Sequence, residues 1–292
     1  MRVVSVSIMI LITLSCASQS THPRGPASHR VRLTEFPIHE LPDCTMLDLA
    51  DIGDLDVVVA IDASRSTVEP TGVDINENGV IGKPVFSRVG AGIFDVGSSD
   101  PGDTFLSAQV SGTLSLVKGL GNNDVRFAIV AFSSTPDQKI FPPRASGRAF
   151  AAVAESELTN QVEPLEAALK RVLEAGSFGN TDFTAGMQLA RHSLTTTRDR
   201  HPSVRRLVLF MSDSPTPVLA TNGKPQRYDP AMKDAALDAA EAGIVFHTFG
   251  LGAEAAEQPG FLEQIAEGTG GRFFPVPDLA ELHCTLAESL MP

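Results

Sequence analysis

The chain has 292 residues, 42% of them hydrophobic and 20% charged, and its 35 acidic against 23 basic residues leave a formal net charge of −12. The apolar share excludes a disordered chain, and Gly and Pro show no collagen period. The acidic balance lacks the basic footprint that nucleic-acid phosphates attract, so it fits cationic ligands or metal ions held by carboxylates better.

Met1-Arg2 precedes the apolar stretch VVSVSIMILITLS, which is interrupted by hydroxyls and shorter than the roughly 20 apolar residues of a bilayer span. Residues 1–15 therefore read as a secretory signal. The run ends in Thr13-Leu14-Ser15-Cys16, which resembles the lipobox of bacterial lipoproteins, although Thr13 stands where Leu is usual. That resemblance implies a lipid on Cys16 as the first mature residue; the alternative is a plain signal cut near Ala17 or Ser20. Ala17 after Cys16, rather than Asp, favours delivery to the outer membrane of a Gram-negative cell. The expected location is the cell envelope, periplasmic or surface-facing, with membrane contact through the N-terminal lipid. Residues 16–43, rich in Pro, Ser, His and Arg and without a period, read as a flexible tether. With Cys16 acylated, Cys44 and Cys284 are left to pair in an oxidising compartment and staple the two ends of the domain, or to stay as two buried thiols.

From residue 44 to 292 apolar strands alternate with amphipathic helices. Strands are expected over 55–61, 125–132, 207–211, 244–251 and 272–276. Helices are expected over 104–120, 162–174, 184–194, 231–242, 261–267 and 279–290. Near-continuous apolar strands separated by helices predict one doubly wound α/β domain with a mostly parallel sheet flanked by helices. Ligands in this class bind at the carboxyl ends of the strands. The first strand runs out into Asp62-Ala63-Ser64-Arg65-Ser66-Thr67, the strand at 207–211 runs out into Asp213, and a middle turn carries Gly179-Asn180-Thr181-Asp182. Two carboxylates at one edge repel unless protonated or bridged by a cation, and hard oxygens without nearby His or Cys suit Mg²⁺, or Mn²⁺ or Ca²⁺.

With Asp62, Ser64 and Ser66 after the first strand, Thr181 in the middle turn and Asp213 after a later strand, the chain resembles a von Willebrand factor A (vWA) domain. The five residues resemble its complete metal-ion-dependent adhesion site. The likeness runs over about residues 54–290 and includes TDFTAGM at 181–187 and IAEGTGG at 265–271. It implies that Ser64, Ser66 and Thr181 offer hydroxyls to an ion, that Asp62 and Asp213 act directly or through water, and that a partner's exposed Asp or Glu completes the shell. Asp182 stands either behind these ligands or as a solvated turn residue. Arg65 reads as a surface residue.

Residues 68–102 form an insertion where compact vWA domains pass directly into the first helix, and its place beside the crevice predicts a lid or binding loop. Within it, Asp74, Asn76, Asn78 and Val80 stand at the spacing of the first half of a calcium loop, but Val85 occupies the position of the bidentate acid. Either a weak Ca²⁺ site or a polar turn follows.

Catalysis is not expected. The strand-end Asp62 resembles that of haloacid-dehalogenase phosphatases, but Ser64 replaces the required second Asp. No phosphate-binding G-x-x-x-x-G-K-[ST] loop marks a nucleotide site, and there is no G-x-S-x-G elbow. His247 reads as a packed strand residue. The expected function is a divalent-metal-dependent protein-binding module on an exported, lipid-anchored protein. The alternative is an assembly subunit of an envelope complex that docks without metal.

Overall fold

The β-branched run Leu55–Asp62 forms strand β1, and all of its eight residues are buried. A strand covered on both faces needs an apolar layer above and below, and here helices supply both. The computed structural model describes residues 31–37, 44, 52–88, 94–121, 124–134, 151–196, 203–216, 219–221, 224–226 and 230–291. After β1 come strands β2 (Pro84–Arg88) and β3 (Phe94–Ser98), helix α1 (Phe105–Leu120), strands β4 (Val125–Phe132) and β5 (Ala152–Ala154), and helices α2 (Val162–Ala175) and α3 (Phe183–Thr195). Then follow β6 (Arg205–Ser212), β7 (Leu219–Thr221), β8 (Lys224–Gln226), α4 (Pro230–Glu241), β9 (Ile244–Leu251), α5 (Gly252–Glu257), α6 (Phe261–Gly268), β10 (Phe273–Val276) and α7 (Leu282–Glu288).

Six strands make the main sheet in the order β10-β9-β6-β1-β4-β5. Every pairing is parallel except that of β4 with the edge strand β5. Alternate residues of β1 enter opposite cores. Val57, Val59 and Ile61 pack with residues of α1, α2 and α7, whereas Val58 and Ala60 pack with residues of α3, α4 and α6. This is the expected α/β fold with a mostly parallel sheet flanked by helices. Strand β1 lies between β4 and β6, so the chain leaves it toward one side and later returns on the other. That reversal opens a crevice at the carboxyl ends of these strands.

Several elements differ from the expectation. Within the stretch expected as tether, a short 3-10 turn at Leu33–Glu35 leads into Phe36, which is buried against the core with Val31 and Leu33 beside it. Three apolar side chains spaced along a polar segment suffice to dock it, although they make no period. The insertion holds the antiparallel hairpin β2–β3. The three-residue strand β5, the pair β7–β8 and the six-residue α5 are too short to show a pattern. The last helix divides into a 3-10 turn, 279–281, and α7. Residues 1–30, with the signal and Cys16, lie outside the described residues.

Cys44 and Cys284 are bonded to each other, joining the segment ahead of β1 to α7. Among the described residues no helix is long and apolar enough to cross a membrane.

His247 sits in β9 with 8% of its surface exposed. Its Nδ1 accepts the Arg272 N–H at 3.0 Å, which leaves the ring proton on Nε2. Burial, and after it the charges of Arg272 and Arg205, lower its pKa from 6.5 to about 4. A base with a depressed folded pKa contributes stability that is fully present above the unfolded value of 6.5 and is lost as pH falls toward 4. His247→Gln, whose amide oxygen can still accept from Arg272, is expected to flatten the loss of stability over that window in urea unfolding. An unchanged pH profile would refute the assignment.

Candidate metal centre

Asp62 ends β1 and is fully buried. Its backbone N–H donates to Gln109 Oε1 at 2.9 Å, and its carbonyl accepts from Gln109 Nε2 at 3.0 Å, so one amide side chain on α1 holds both backbone groups. Its carboxylate accepts from Ser64 N–H on Oδ1 at 2.8 Å and from Ser212 Oγ on Oδ2 at 2.5 Å. The chain then turns so that Ser64 Oγ and Ser66 Oγ lie 3.2 Å apart. Ser66 Oγ in turn donates to Asp213 Oδ1 at 3.0 Å, joining the end of β1 to the end of β6.

The middle turn is stitched onto these loops. Phe178 N–H donates to Ala63 O, Arg65 N–H to Gly179 O, and Asp182 N–H to Ser133 O. Thr67 Oγ1 meets Ser177 Oγ at 2.6 Å, and Asn180 N–H donates to Ser134 Oγ at 2.7 Å. Gly179 has φ +69°, and a Cβ there would fall 2.6 Å from Ser134 O, so only glycine admits this close approach. The result places Thr181 in one cavity of about 350 Å³ with Ser64, Ser66 and Asp213. Of the five residues, these four line the cavity, and Asp62 lies beneath them, bonded to Ser64 and to Ser212.

Burial pushes the Asp62 carboxyl up to about 6, against the hydrogen bonds of Ser212 and Ser64 that favour its charged form. Desolvation, and after it the charge of Asp62, hold Asp213 well above the usual carboxylate range despite the bond from Ser66. Thr181 is only 3% exposed, and its hydroxyl has no hydrogen-bond partner among the described residues. A buried, unsatisfied oxygen beside two carboxylates that resist ionisation is the donor set a hard divalent cation would satisfy, so the residues fit such an ion.

Asp182, next to Thr181 and half-buried, is the N-cap of α3, its carboxylate accepting from Ala185 N–H at 2.9 Å. Arg65 lines the cavity. Three contributors are absent from the sequence reading: Gln109, Glu69 and Glu254. Glu69 and Glu254 line the cavity, and burial, followed by the charge of Glu254, raises the Glu69 pKa. A glutamine inside the apolar run of α1 is the one signal that marked Gln109; nothing local marks the two glutamates.

In the insertion, Asp74 accepts from Asn78 and Gly79 N–H, Asn76 from Asn78 N–H, and Asn78 from Val80 N–H. The loop thus closes on its own backbone, and Val85 of β2 points out with 46% of its surface exposed. Asp100 and Asp103, beyond β3, reach back to Asn78 and to the Ile75 and Gly82 N–H groups.

Fold and site together define a doubly wound α/β domain with a hydroxyl- and carboxylate-lined crevice at the carboxyl edge of its sheet. The chain belongs to the von Willebrand factor type A domain family, whose model matches residues 103–288. That span holds Thr181 and Asp213, while Asp62, Ser64 and Ser66 precede it. Among solved structures the chain is similar to BatB from Bacteroides thetaiotaomicron, at 15% identity over 81% of this chain and 97% of that one, with a TM-score of 0.51. It is also similar to an aerotolerance-related membrane protein from Bacteroides fragilis, at 14% identity, 81% and 98% coverage and a TM-score of 0.51. The pilus adhesin SpaC from Lactobacillus rhamnosus GG is similar at 14% identity and a TM-score of 0.50, over 81% of this chain and 30% of the adhesin. At these identities the likeness is one of fold. Comparison with curated proteins finds no match.

Proposed function

We propose that this chain is a divalent-metal-dependent protein-binding module of the cell envelope. Ser64, Ser66 and Thr181 would hold Mg²⁺, or Mn²⁺ or Ca²⁺, with Asp62 and Asp213, and the partner would be a protein presenting an exposed Asp or Glu. When bound, the ion supplies a positive centre at which an external carboxylate can bind. The observation that carries this reading is the buried Thr181 hydroxyl without a partner, facing the same cavity as Ser64, Ser66 and Asp213.

Glu69 and Glu254 sharpen it. They add negative charge to the cavity, so an acidic partner is repelled from the empty site and admitted once the ion is in place. Beside the crevice, β3 lies against the turn at 65–68, and the insertion exposes Phe86 (69%), Val80 and Ile81, an apolar surface for the same partner. The disulfide agrees with an oxidising compartment. We read the N-terminus as the lipid anchor at Cys16; a pilus adhesin and a membrane protein among the similar folds agree with an envelope site.

Thr181→Val tests the site cleanly, because it removes a hydroxyl that makes no hydrogen bond and keeps the side chain's shape. Titration of the full chain with Mn²⁺, followed by electron paramagnetic resonance, is expected to show one bound ion in the wild type. The variant should bind about tenfold or more weaker, with no loss of melting temperature in EDTA. Equal Mn²⁺ affinity in the two proteins would remove Thr181 from the site and the metal reading with it.

A further inference from the structure

The opposite edge of the sheet carries the opposite charge. At the amino ends of β6, β9 and β10 a cavity of about 440 Å³ is lined by Arg205, Arg206, His247 and Arg272, with Val245 and Met291 among its apolar walls. Among the described residues no acidic one lines it, in a chain whose net charge is −12. Arg205 of β6 and Arg272, just ahead of β10, stand on either side of β9 with no acid among the described lining residues to offset them, while Arg206 sits on the other face of β6 in register with Asp56.

Their other contacts leave that charge uncompensated. Arg205 donates to the carbonyls of Ile52 at 2.7 Å and Leu290 at 3.1 Å, which fixes the guanidinium in place without neutralising it. Arg272 lies 5.0 Å over the Phe274 ring. Among the described residues none of the three is in an ion pair. His247 contributes a second kind of donor. Its Nδ1 is taken by Arg272 N–H, and its Nε2–H, on a residue with 8% of its surface exposed, has no partner among the described residues. A donor on a cavity wall with no acceptor in the protein is one that a bound anion can satisfy.

We propose that this cavity binds a phosphate group, with Arg272 and the His247 Nε2–H as donors and Arg205 as a fixed neighbouring charge. Guanidinium forks match the oxygens of a phosphate, and a doubly charged anion offsets more than one arginine where a single carboxylate would not. The apolar walls strengthen each of these bonds by lowering the local dielectric. The phosphate belongs either to a soluble phosphate ester or to an anionic phospholipid headgroup. The site is independent of the metal crevice, which lies at the other ends of the same strands.

The test uses the full chain in EDTA, so that no ion at the crevice can hold phosphate. Calorimetric titration with inorganic phosphate and pyrophosphate reports the soluble ligand. Sedimentation with phosphatidylcholine vesicles, with and without phosphatidic acid, reports the headgroup through the difference between the two. Saturable binding of the soluble anions, or sedimentation that depends on phosphatidic acid, is expected in the wild type. Either signal should fall by about tenfold or more in Arg272→Gln, at unchanged melting temperature, since a charge-assisted bond is lost. Absence of both signals in the wild type, or equal binding by Arg272→Gln, would overturn the proposal.

Discussion

Asp213→Asn is expected to stabilise the metal-free protein at pH 7 while abolishing its stabilisation by magnesium. Desolvation and the neighbouring Asp62 charge hold the Asp213 pKa well above its ordinary value, and Asp62 itself is raised to about 6. For acids raised in the folded state, the associated stability is fully present below the unfolded value, near 3.8, and is lost as pH rises through the folded value. At pH 7 the metal-free fold therefore carries two carboxylates in a site that disfavours both charges. Removing one relieves that repulsion, and the amide oxygen of Asn can still accept from Ser66. The expected gain is about 1 kcal/mol in EDTA, one pKa unit being worth about 1.4 kcal/mol.

Magnesium reverses the order of the two proteins. An ion present at about 100 times its dissociation constant stabilises the wild type by about 2.7 kcal/mol, a rise of roughly 5–10 °C in melting temperature for a domain of this size. The variant, lacking one of the two acids, should show little or none of that rise. Calorimetric melting of both proteins in EDTA and in excess Mg²⁺ decides the matter. A variant less stable than wild type in EDTA, yet equally responsive to Mg²⁺, would mean that Asp213 is structural. His247 acts with the opposite sign over the same acid range, so the variants must be compared at one pH.

Reduction of the Cys44–Cys284 bridge is expected to destabilise the domain by about 2–5 kcal/mol. The bond closes a loop of 240 residues, and opening so long a loop restores much conformational entropy to the unfolded chain. What the bridge holds down is slight. Helix α7 has seven residues and docks through Leu282, Leu286 and Ala287, with Gly112 of α1 allowing the close approach of Leu282. On the other side of the bond, the segment carrying Phe36 adds a single short turn. Urea unfolding of the wild type, of the reduced protein and of Cys44→Ala/Cys284→Ala checks this. Hydrogen exchange should show α7 opening ahead of the sheet in the double variant. Equal unfolding midpoints in all three would show that packing alone secures the two ends.

The strands and the polar residues at their carboxyl ends were legible from residue order because each is a local property. A run such as VRFAIVAF can be covered on both faces only inside a layered fold, and polar residues that follow such runs arrive at its carboxyl edge. That reasoning located Asp62, Ser64, Ser66, Thr181 and Asp213. The elements it passed over, β5, β7, β8 and α5, are too short to carry a period, and the docking of Phe36 rests on a few isolated apolar side chains.

What no local pattern contains is the company each residue keeps. Gln109 grips Asp62 from 47 positions away, and Ser212 reaches the same carboxylate from 150 away. Glu69 and Glu254 meet across the cavity, and Arg205 and Arg272 share a hollow, only because strands remote in the chain run side by side in the sheet. Covalent order dictates periodicity and turn chemistry, which act over a few residues. Burial, Coulomb repulsion and unsatisfied hydrogen bonds act through space, and so the charge on each acid and the solitude of the Thr181 hydroxyl existed only once the chain had folded.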